Sequence, residues 1–123
     1  MSIIGWKLYP SERERLLVSI RPTWPDVVAD HVTLDASAKD ASALPTQREG
    51  VIVGSIDDGN GLQALVVSIN GTTRRPDGNT FHITWSLDRS KGRRANESNA
   101  LLSSRIFEPL KDPIVIHLFP AYI

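Results

Sequence analysis

Cysteine is absent from this chain of 123 residues, which excludes disulfides, thiolate zinc sites and a cysteine nucleophile. The absence fits a reducing compartment, and a cytoplasmic location is expected. Net charge is also missing: 14 basic residues balance 14 acidic ones, with none of the excess that marks a general nucleic-acid coat protein. No apolar run approaches the roughly 20 residues of a membrane span. The opening MSIIGWKLYPSERER lacks a basic segment followed by a long apolar one, so neither a signal peptide nor membrane attachment is expected. No Gly-x-Ser-x-Gly and no phosphate-binding P-loop occurs. Asp57, Asp58 and Asn60 lack the later ligands and closing glutamate of a calcium loop. The three histidines show no zinc-ligand spacing, so neither metal nor cofactor is expected. The triplets beginning at Asn70 and Asn96 match a glycosylation pattern and are read as chance.

The 41% hydrophobic content at this length implies one globular domain over residues 1–123, expected to be a monomer. Ser11-Glu12-Arg13-Glu14 reads as a capping box opening a helix, with Leu16, Leu17 and Ile20 as its apolar stripe and Pro22 as its end. VVADHVTLD reads as a strand, residues 36–49 as a loop, and 51–56 and 62–69 as strands joined by the turn DDGNG. TFHITWSLD reads as the next strand, residues 96–107 as a short helix with Asn96 as N-cap, and DPIVIHLF as the last strand. Helices mixed with strands in hairpins imply an α+β domain.

Within the next-to-last of these strands, FHITWSL splits into two faces. Phe81, Ile83, Trp85 and Leu87 form an apolar face, while His82, Thr84 and Ser86 form a polar one. A half-solvated antiparallel strand alternates in the same way. A second segment tips the balance. HVTL at 31–34 and HITW at 82–85 share the order His, apolar, Thr, apolar, and His31, Thr33 and Asp35 fall on one face. Two imidazoles that titrate near neutrality can take a proton and give one, and a hydroxyl two residues on can donate to a phosphate oxygen as charge develops there. Two such strands facing each other would suit transfer at a phosphodiester.

Paired H-x-T motifs in strands resemble those of the two-histidine (2H) phosphoesterases. That superfamily includes RNA 2',3'-cyclic phosphodiesterases, the so-called 2'-5' RNA ligases, the cyclic phosphodiesterase part of tRNA ligases, and phage enzymes that cut cyclic oligonucleotide signals. DHVTLD and GNTFHITWS look most like the tRNA ligase and phage branches. The resemblance covers most of the chain, which is short beside relatives with longer insertions. It implies a compact two-lobed α+β domain with antiparallel sheets lining a central cleft and helices outside. It also implies metal-independent chemistry at His31, Thr33, His82 and Thr84, with an RNA end or a small cyclic nucleotide as partner. Hydrolysis of a cyclic oligonucleotide, or binding without turnover, are the alternatives.

Residues 71–94 hold six basic against two acidic residues, on both sides of FHITWSL. Arg74 and Arg75 are the first candidates for phosphate contact, against a reading as solvated turn residues. Trp24 is a candidate for stacking on a base, and Tyr9 for base or sugar contact against a reading as core packing. Trp85, facing away from His82, is assigned to the core. His117 has no hydroxyl two residues on and is expected to be a packed or edge-strand histidine.

Overall fold

The computed structural model covers residues 1–123 and shows an α+β domain. A strand precedes the first helix: β1 (Ser2–Leu8) buries Ile4, Trp6 and Leu8, and Gly5 between them interrupts the apolar pattern that would announce a strand. Helix α1 (Pro10–Ser19) follows, then β2 (Asp26–Val27), β3 (His31–Ala38), β4 (Glu49–Asp57), β5 (Leu62–Ser68), β6 (His82–Leu87), a single 3-10 turn, α2 (Glu97–Ser104) and β7 (Glu108–Tyr122). The expected capping box does not form. Tyr9 is the N-cap with no side-chain bond, and Pro10 starts the helix, where its missing N–H is no loss. The helix ends at Ser19, before Pro22. Nor does Asn96 cap α2 through its side chain, and α2 stops three residues short of the expected end.

All strand pairs are antiparallel, in the order β2-β6-β5-β4-β7-β1-β3. One continuous sheet therefore stands where separate sheets were expected. Its length comes from β7, fifteen residues long, which pairs with β4 through Glu108–His117 and passes to β1 through Leu118–Tyr122. Residues 112–119, the expected strand, are only its middle.

The sheet curls so that its ends meet. VVADHVTLD is not one strand: β2 lies on β6, β3 lies on β1, and Val28–Asp30 cross between them. The amides of Val28 and Ala29 donate to the carbonyls of Trp85 and Thr84 (both 3.0 Å), while Asp30 O accepts from Leu8 N (3.1 Å). Ala29 turns the chain at φ +44°, which for an L-residue costs about 1–2 kcal/mol. The crossing thus joins the β6 edge to the β1 edge.

Each helix covers its own apolar cluster. Leu16 of α1 packs with Trp6, Ile83, Trp85 and Ile116, and Leu101 of α2 packs with Ile56, Leu62, Ala64 and Leu87. Trp85 is fully buried, as its face implies, and its indole N–H donates to Ile20 O at 2.8 Å.

At Gly5, a Cβ would overlap the carbonyl oxygen of Val32 and press on the backbone of Thr33 and Leu34. Only glycine lets β1 and β3 approach this closely at the position paired with Thr33. Gly5→Ala should lower unfolding stability by about 1–3 kcal/mol, read from urea denaturation. The same change in solvent-facing Gly59 would meet no neighbour, leaving only the strain of its positive φ.

Candidate active site

The polar face of β6 is not a solvated outer face. Thr84 is 8% exposed and Ser86 is fully buried. Their duties differ. Ser86 Oγ donates to Gln63 Oε1 (2.6 Å) and accepts from Trp24 N (3.1 Å), so it anchors the turn before β2. Thr84 Oγ1 lies 2.9 Å from Ser98 Oγ and 3.2 Å from Ala95 O, tying β6 to the start of α2. His82 fixes Nδ1 on the carbonyl of Thr80 at 2.7 Å. A proton on Nδ1 leaves Nε2 with its lone pair free to accept another.

The curl brings the first H-x-T segment against the second. His31, Thr33, His82 and Thr84 line one cavity of about 260 Å³, together with Arg75, Asn96 and Asn99. His31 Nδ1 lies 3.1 Å from the carboxylate of Asp30, which can orient the ring and balance its charge when it is protonated. Asp35 does not share this face. The β1–β3 ladder shifts register on both sides of Ile4, so Ala36 turns into the cavity and Asp35 lines a separate groove.

Arg75 is the buried cation of the site, only 4% exposed. Asp77 accepts from its Nε and Nη2 at 2.9 and 2.8 Å, leaving Nη1 without a protein acceptor. This two-pronged pairing holds the Asp77 carboxyl far below the usual carboxylate range. For His82, burial lowers the pKa from 6.5. The bond to Thr80 O opposes that shift, and the charges of Arg75 and His31 add to it. The surroundings therefore favour neutral His82, the form able to accept a proton.

Other expected site residues lie elsewhere. Arg74, next to Arg75, is exposed and does not line the cavity, because adjacent residues of the extended segment point oppositely. Trp24 donates through its indole N–H to Asp57 Oδ1 (3.2 Å), with the Lys91 ammonium 5.5 Å from its ring centre. Tyr9 packs on Phe119 with ring centres 4.9 Å apart. His117 is exposed on the interior strand β7, opposite Glu49, so it is neither packed nor on an edge. Asp30, Asn96, Ser98 and Asn99 complete the site. Their only sequence signals are the residue before the first H-x-T and the polar run NESN after the basic loop.

Three larger clefts, of about 530, 430 and 380 Å³, contain no histidine. No group of three or more His, Cys, Asp or Glu side chains could hold a metal ion, and no helix is long and apolar enough to cross a membrane. No family model, curated protein or solved structure matches the chain.

The lowered pKa of His82 fixes a pH dependence of stability. The unfolded histidine takes its proton near 6.5, whereas the folded one takes it only at lower pH. Stability should therefore fall as the pH drops through 6.5 toward the folded value, and level off above 6.5. Denaturant unfolding at several pH values would measure this slope, and His82→Gln should flatten it.

Proposed function

We propose that this domain is a metal-independent phosphodiesterase acting on 2',3'-cyclic phosphate ends of RNA or nucleotides. The observation that carries the reading is the meeting of both H-x-T pairs and a buried arginine in one cavity. An anion there would face Arg75 Nη1 and the Thr33 hydroxyl, which has no protein partner. Neutral His82 takes the proton of a water whose oxygen forms the new bond to phosphorus. One bond from phosphorus to a ribose oxygen breaks, and His31, protonated beside Asp30, gives its proton to that oxygen. Arg75 and Thr33 donate to the phosphate oxygens as charge gathers there.

One observation favours a second reading, a nucleotide- or RNA-end-binding module without turnover. The Thr84 hydroxyl already bonds within the protein, so it supports the wall of the cavity and is less free than Thr33 to serve a substrate.

The deciding experiment offers cyclic mononucleotides, RNA with a cyclic phosphate end, and cyclic di- and trinucleotides, with products identified by mass. Cleavage of a 2',3'-cyclic phosphate supports the proposal. Cleavage of the cyclic oligonucleotides alone moves the substrate class, and tight binding without turnover supports the binding module.

Turnover should follow a bell-shaped pH profile, survive EDTA, and fall about a hundredfold or more in His31→Ala and in His82→Ala. The threonines should separate. Thr33→Val should lower kcat with little loss of stability, whereas Thr84→Val should also destabilise the fold by about 1–3 kcal/mol by removing a partner from buried Ser98.

A further inference from the structure

The crossing at Val28–Asp30 turns the chain from the β6 edge to the β1 edge one residue before His31. The amides of Val28 and Ala29 are bonded to β6, but no backbone donor meets the carbonyls of these two residues as the chain leaves the ladder at left-handed Ala29. One side chain of α1 meets both. Arg13 donates from Nε to Ala29 O at 2.9 Å and from Nη2 to Val28 O at 3.3 Å. The two donors lie on one edge of a flat guanidinium, so a single rigid fork spans two successive carbonyls.

We infer that Arg13 is a positioning residue for the phosphodiester chemistry: its fork on the carbonyls of Val28 and Ala29 locks the turn that aims His31 at His82. This rests on the reading of the cavity as an active site. Arg13 does not line that cavity, so it acts only through the backbone. The turn has little tolerance. Ala29 is wholly buried, its amide is bonded to the Thr84 carbonyl, and Asp30, partner of the His31 ring, comes next. With the fork gone, the non-glycine residue at positive φ is free to relax toward the usual backbone region, and His31 swings with it.

The test uses the full chain in three forms: parent, Arg13→Met and Arg13→Lys. Methionine keeps much of the length and apolar stem without a donor, and lysine offers a single head that can serve one carbonyl. Arg13→Met should lose about tenfold to a hundredfold in kcat on the cyclic phosphate substrate, with KM nearly unchanged. Arg13→Lys should recover part of that loss. The side-chain NMR resonances of His31 should shift in Arg13→Met, and those of exposed His117 should stay in place.

The NMR arm needs no turnover. If the parent cleaves nothing, the enzyme reading fails while the positioning of His31 is still tested. A folded Arg13→Met protein with parental kcat and unmoved His31 resonances overturns the inference, as does a loss of stability alone. Should Arg13→Met fail to fold, Arg13→Lys carries the same comparison: parental kcat and resonances there overturn it, and a reduced kcat with displaced His31 resonances supports it.

Discussion

The bonds from the amides of Val28 and Ala29 to the carbonyls of β6 tie the crossing between β2 and β3 to the far side of the sheet. They join the two ends of the seven-stranded order, β3 at one end and β6 near the other, above an apolar core that Val32 shares with Ile83 and Trp85. His31 and His82 belong to those separated strands, and only the crossing between β2 and β3 brings them to a common cavity. The cost of a left-handed alanine is offset by four backbone or side-chain bonds within two residues. Two-residue β2 exists because the same chain must pair with β6 before it joins β1.

The two H-x-T segments match in sequence but not in surroundings. His82 is held by a backbone carbonyl, sits near a buried guanidinium, and is pushed toward its neutral form. His31 has a carboxylate beside its ring. Thr84 is locked into a buried hydroxyl pair with Ser98, whereas no protein group takes up the hydroxyl of Thr33. The two imidazoles therefore sit in unlike electrostatic surroundings, one near a guanidinium and the other beside a carboxylate.

The buried charge at Arg75 fits the same picture. Its pairing with Asp77 offsets part of the cost of burial and leaves one nitrogen without a protein acceptor. The basic stretch around β6 is otherwise dispersed. Arg93 is taken up by Asp58 and Glu97, Lys91 lies over Trp24, and Arg74 faces solvent. Of the six basic residues, Arg75 is buried and Arg93 is paired, while Arg74, Arg89, Lys91 and Arg94 are exposed.

Much of the site was legible because it is local chemistry. The order His, apolar, Thr, apolar fixes which side chains share a face of a strand, and Arg75 lies close enough in sequence to be drawn in. The burial of Trp85 follows from the same alternation, and the hairpin between β4 and β5 from the turn DDGNG. Three things lay beyond that reach. Gly5 breaks the pattern of β1, a register shift beside Ile4 turns Asp35 out and Ala36 in, and Asn96, Ser98 and Asn99 enter the site only because α2 docks on β6. The sequence alone determined the paired H-x-T segments and their alternating faces, since both depend on residues two apart. Tertiary structure decided the meeting of the histidines, their unlike environments and the choice of Arg75 over Arg74, because burial and long-range hydrogen bonds exist only once the sheet has curled.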